Sequence, residues 1–256
     1  MRSRGWLALM VLTGCLAATP LYAEDNPHAA DNPQTCDVPA YLLSTESPLP
    51  KVADAVKEGR ALNVLVVGSR SSTIGTSEAS AYPARLQAML KEKLPSTTVN
   101  VSVELQVKKT AEEAASGFVK LVEDKKPTLV IWQTGTVDAM RSVDPDEFRS
   151  AVDEGVAALQ KAGADVVLMN LQYSPRTETM ISVPPYLDNM RVVAQQHDVP
   201  LFDRFAIMHQ WNDQGDFDLF SASHGIELAK RVHDCLGRAL STFVIDAAHI
   251  GPAQQN

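Results

Sequence analysis

From residue 61 onward the chain alternates short β-rich apolar runs with longer helical periodicities, and no other feature limits its folding choices as strongly. The strand candidates are Leu62–Val67, Val99–Leu105, Thr128–Trp132, Asp165–Met169 and the short Val199–Phe202. Helix starts are readable between them. Thr110, three residues before Glu113, predicts a capping box opening a helix that runs through Val119, Leu121 and Val122. Asp144-Pro145-Asp146-Glu147 supplies a cap, a first-turn proline and acidic residues ahead of Phe148, Val152, Val156 and Leu159, with Gly163 closing that helix. Nearly continuous apolar strands belong to sheets covered on both faces. The repeated β-α order therefore predicts a parallel sheet of about five strands in a three-layer α/β/α sandwich. No linker-like shift interrupts residues 61–243, so we expect one domain there, flanked by an N-terminal arm (24–60) and a C-terminal tail (244–256).

Residues 1–23 read as an address. Arg2 and Arg4 precede an apolar run from Trp6 to Ala18, followed by Pro20-Leu21-Tyr22-Ala23 and then the acidic Glu24-Asp25. This is the order of a secretory signal, and the run is short for a membrane span of about 20 residues. We expect cleavage after Ala23, with no transmembrane segment afterwards and a periplasmic or secreted protein. Leu12-Thr13-Gly14-Cys15 offers the alternative of a lipoprotein anchored through Cys15. Export also gives the remaining cysteines a meaning. Cys36 and Cys235 are then the only two left in an oxidising compartment, and we predict that they form a disulfide closing a loop of about 200 residues. No CxxC or HxxxH spacing occurs, so a zinc site is not expected, and we expect no cofactor. With 23 Lys+Arg against 31 Asp+Glu, a net charge of −8 argues against a nucleic-acid partner, because phosphate contacts need clustered cations.

In parallel α/β sheets functional groups gather at the carboxyl ends of the strands. The first such loop is Gly68-Ser69-Arg70-Ser71-Ser72-Thr73-Ile74-Gly75-Thr76-Ser77; it fits neither GxGxxG nor GxxxxGK[ST]. After the third strand comes Gln133-Thr134-Gly135-Thr136-Val137-Asp138, and after the fourth Asn170-Leu171-Gln172-Tyr173. Together with the Tyr82-Pro83-Ala84-Arg85-Leu86 helix start, these loops resemble the SGNH (GDSL-type) hydrolase superfamily over roughly residues 61–240. The resemblance implies a flavodoxin-like sandwich and ester hydrolysis. It also implies a nucleophilic serine after the first strand, oxyanion donors after the second and third strands, and a late DxxH supplying the base and its orienting acid.

The motif residues depart from that pattern at several points. An ungapped reading puts Arg70 on the nucleophile position, and arginine cannot attack a carbonyl. A one-residue slip puts Ser71 there, followed by Thr73, with Ser72 as the second choice. Val137 stands where the family has the Asn of GxND, and valine offers the oxyanion no N–H. Losing one such donor typically lowers rates by about 10²–10³. After the second strand the chain reads Gln106-Val107-Lys108-Lys109 without the family's glycine; a backbone N–H survives there, and Lys108 and Lys109 read either as a solvated surface pair or as a charge that could hold an anion. In the last loop Ser221 occupies the acid position of DxxH; the nearest acids are Asp218 and Asp216, and His224 reads either as the base, with Asp218 as its partner, or as the start of the last helix. The expected site is therefore Ser71 as nucleophile, His224 as base and Asp218 as its orienter. Ser72, Gly135, Lys108 and Asp138 complete it as oxyanion or substrate-binding residues. Two functions follow: a slow ester hydrolase or acyltransferase acting on small-molecule or envelope glycan or lipid esters, and an inactive binding or scaffolding protein on the same fold.

Overall fold

The computed structural model describes residues 36–75, 78–220 and 225–251. Residues 1–23, the expected secretory signal that includes Cys15, and His224 lie outside the described residues. Five parallel strands form one sheet in the order β2-β1-β3-β4-β5: β1 (Leu62–Gly68), β2 (Val99–Leu105), β3 (Leu129–Gln133), β4 (Asp165–Met169) and β5 (Leu201–Phe202). Two strands have the predicted limits; β3 is shifted by one residue, and β5 is only two residues long because Val199 and Pro200 precede its pairing with β4.

Alternation within each strand sends side chains to two separate cores. Val64 and Val66 of β1, Ile131 of β3 and Val167 of β4 pack on one face, against α3 (Tyr82–Lys93) and α11 (Gly225–Ala247). Leu65, Val67, Trp132 and Leu168 point to the other, covered by α4 (Ala111–Ala115), α5 (Phe118–Lys125), α7 (Pro145–Lys161) and α9 (Pro184–Gln196). Burial on both sides explains why the strands read as unbroken apolar runs.

Three differences from the sequence reading have physical causes. The helix expected from Thr110 through Val122 breaks into α4 and α5 at Ser116-Gly117. Both are poor helix formers, although the capping box of Thr110 and Glu113 forms as predicted. The last helix runs to Ala247, past the boundary drawn at residue 243, because Phe243, Val244 and Ala247 are all buried. The arm from Cys36 onward is part of the packed body. It carries α1 (Ala40–Leu43) and α2 (Pro50–Lys57), and Leu49, Val52 and Ala55 enter the core. Cys36 is bonded to Cys235 with a Cα–Cα distance of 5.1 Å across a sequence separation of 199, as predicted. No helix among the described residues is long and apolar enough to cross a membrane.

Candidate active site

The strand order reverses direction between β1 and β3, and the crevice outside their carboxyl ends is the topological switch point where such sheets bind ligands. Two segments meet there. β1 ends at Gly68, and Ser69 leads into a 3-10 turn over Arg70–Ser72. Only glycine fits at residue 68, since a Cβ there would overlap Ser72 Oγ. From the adjacent strand, the last residue of β3 is Gln133, and its side chain organises the whole loop.

Gln133 makes the four hydrogen bonds its amide can make. Its Oε1 accepts from Ser72 Oγ at 2.8 Å and from Tyr82 OH at 3.0 Å, while its Nε2 donates to Ser71 Oγ at 2.8 Å and Ser69 Oγ at 3.1 Å. One amide thus separates an inner pair of hydroxyls from an outer pair. Ser72 is the inner serine, buried and held also within 3.2 Å of Tyr82 OH, so its oxygen is closed to a substrate. Ser71 is the outer one and only half-buried. Its Oγ accepts a second donor, Arg204 Nη1 at 3.2 Å, and lies 3.2 Å from Ser69 Oγ.

Arg204 opens α10 (Arg204–Asp213), immediately after β5 and the cap Asp203. Its side chain is buried; desolvation, opposed only by Tyr82, lowers its pKa to about 10, and it remains a cation at neutral pH. Behind it His233 of α11 accepts the Tyr82 backbone N–H on Nδ1. Burial first, and the charge of Arg204 second, lower the His233 pKa to about 3, so this histidine is neutral. Burial also raises the Tyr82 phenol.

Beside Ser69 a cleft with room for about one water is lined by Gln106, Lys109, Gln133, Gly135, Thr136 and Val137. Gly135 takes φ +94° there, and a Cβ would meet Leu171 Cδ1 at 2.5 Å, so this glycine is required on both counts. The Val137 side chain offers the cleft no donor, and Lys109 lines it while Lys108 does not. Lys108 is exposed in a left-handed turn (φ 62°), with its carbonyl accepting Arg141 Nη2 at 2.7 Å. Asp138 is buried, and its Oδ1 accepts the Ala111 N–H at 2.8 Å, which fixes the start of α4 and leaves this oxygen with a packing role. Asp218 is exposed and its Oδ1 accepts the Phe220 N–H at 3.1 Å. The structure therefore brings Ser71, Ser72 and Gly135 to the switch point. Gln133, Arg204, Tyr82 and His233 join them without having been singled out. The sequence signal that Arg204 carries is its place at a helix start two residues after the fifth strand. Among the described residues no group of three or more His, Cys, Asp or Glu side chains is arranged to hold a metal ion.

Residues 35–250 match the model of the non-GDSL lipase-like family. The chain belongs to that family. Its description agrees with the first loop, where Gly68-Ser69-Arg70 replaces Gly-Asp-Ser, and the sandwich is that of the SGNH hydrolases. Among solved structures the chain is similar to TesA, at 20% identity and TM-score 0.56 over 71% of this chain and 99% of the other. It is similar to the psychrotrophic esterase EstA from Pseudoalteromonas sp., at 16% identity and TM-score 0.56 over 71% and 98%. It also resembles Axe2, an acetylxylan esterase from Geobacillus stearothermophilus, at 17% identity and TM-score 0.59 over 72% and 94%. At such identities the likeness establishes the fold. No curated protein matches the sequence.

Proposed function

We propose that this non-GDSL lipase-like protein is an ester hydrolase or acyltransferase in which Ser71 Oγ attacks the acyl carbon, and that its substrates are acyl esters of envelope glycans or lipids. One observation carries the reading: the half-buried Ser71 hydroxyl at the sheet's switch point accepts two N–H donors, from Gln133 and Arg204. A neutral hydroxyl oxygen has two lone pairs, both occupied by these donors. Loss of the proton exposes a third lone pair for attack. In the proposed cycle the Ser71 proton passes to His224, which Asp218 orients. The Oγ–C bond forms as the carbonyl pair moves to oxygen. Collapse then breaks the bond to the leaving alcohol, which takes the proton, and water or an acceptor hydroxyl releases the acyl group. The envelope assignment rests on the secretory pattern of residues 1–23. Val137 in place of an amide donor supports slow turnover.

A second reading, a binding protein that has lost the chemistry, is favoured by the same Val137. Incubation of the oxidised mature protein with a short-chain aryl ester and a fluorophosphonate probe separates the two. The enzyme reading expects turnover and labelling that disappear in Ser71→Ala and fall in His224→Ala. Labelling that survives Ser71→Ala, or none in the unsubstituted protein, overturns it.

A further inference from the structure

Arg204 is an anomaly in an otherwise conventional charge distribution. The residue is 1% exposed, and among the described residues its Nε has no hydrogen-bond partner and no carboxylate pairs with it. The ion-paired arginines of this chain, Arg60, Arg85, Arg141, Arg191 and Arg238, all have side chains 42% or more exposed. Adjacent Asp203 is turned elsewhere, to Asn170, Ala206 and Arg191. A buried cation without a counter-charge is unfavourable for folding and calls for a reason. The titratable groups facing it are Tyr82 from α3, whose ring lies 5.9 Å away, and His233 from α11, and both are neutral. Among the described residues its hydrogen bonds go to Ser71 alone: Nη1 to Ser71 Oγ at 3.2 Å and Nη2 to the Ser71 carbonyl at 3.5 Å.

We propose that Arg204 is a catalytic residue whose buried guanidinium supplies the missing counter-charge to the oxyanion that forms on Ser71 Oγ. The role rests on Ser71 being the nucleophile. It gives the uncompensated cation a partner that exists only while the hydroxyl is deprotonated, so the interaction strengthens along the reaction rather than in the resting protein. With a fluorophosphonate the step balances: the Oγ–P bond forms, the P–F bond breaks, fluoride leaves with the electron pair, and the Ser71 proton goes to water.

The test follows the rate of fluorophosphonate labelling at Ser71 from about pH 5 to about pH 10 in the oxidised mature protein and its Arg204→Met and Arg204→Lys variants. Arg204→Met is expected to label at least about 10-fold more slowly near neutrality, with the deficit narrowing as pH rises because hydroxide then removes the proton unaided. Arg204→Lys should recover part of the rate, since it restores the charge but not the fork. The melting temperature of Arg204→Met should equal or exceed that of the parent. A pH-independent deficit in Arg204→Met, or labelling identical to the parent at every pH, overturns the role. If Arg204→Met does not fold, an Arg204→Lys profile superimposable on the parent does the same. Absence of Ser71 labelling in the parent overturns the hydrolase reading and this role with it, whereas labelling indifferent to Arg204 overturns this role alone.

Discussion

Gln133 is the residue on which the candidate site turns. Replacing it with leucine leaves Ser72 Oγ and Tyr82 OH with only each other in a buried setting. We expect Gln133→Leu to lose about 1–3 kcal/mol of stability, read from urea unfolding, and to lower Ser71 labelling as well. His233 gives a second expectation. A group whose folded pKa is about 3 against 6.5 unfolded leaves the unfolded chain binding more protons between those values, so its contribution to stability is present above about pH 6.5 and is lost as pH falls towards 3. His233→Asn, which keeps an acceptor for the Tyr82 N–H, should flatten that acid loss, as urea midpoints near pH 7 and pH 4.5 would reveal. Neither residue was legible in the sequence. Gln133 bonds partners 51 to 64 positions away, and Arg204 reaches Ser71 across 133. No local spacing encodes such pairs, whereas Ser71 and Gly135 lie in strand-end loops where the family resemblance directs attention, Ser71 by a one-residue slip of the first motif and Gly135 by the match to GxND.

Among the elements, strands and most helix starts were readable because alternation, periodicity and local caps act over a few residues. What was not readable is a cap delivered from afar. α2 has Leu49 at its N-cap and no local side chain to close its first turn. The N–H groups of Lys51 and Val52 bond Asp165 Oδ2 instead, at 2.8 and 3.0 Å. Asp138 serves α4 in the same way through Ala111. Asp165→Ala should cost about 1–2 kcal/mol and selectively raise hydrogen exchange at Lys51 and Val52. Burial raises the Asp165 pKa, so the folded state binds its proton more tightly and this group's contribution falls as pH climbs past 3.8. Asp165→Asn keeps the acceptor and should remove that part of the pH dependence, measurable as a smaller difference between stabilities near pH 4 and pH 7.

At the scale of the whole molecule, the disulfide joins the first described residue to the last helix. A loop of 199 residues is worth on the order of 5 kcal/mol in the chain-entropy model. Reduction, or paired Cys36→Ser and Cys235→Ser substitution, should move the urea midpoint down without altering the slope of Ser71 labelling against probe concentration by more than about 2-fold. A loss of labelling with stability intact would instead tie the bond to the site.

The distant cap of α2 also bears on the order of assembly. A ribosome makes Pro50–Lys57 well before Asp165, 114 residues after Lys51, and Cys36 waits longer still for Cys235. Nascent chains arrested short of Asp165 should therefore leave the α2 amides exchanging as in an unfolded peptide. The early part of the chain stays open until the late part arrives, which is the condition a polypeptide must meet to be threaded first and folded afterwards.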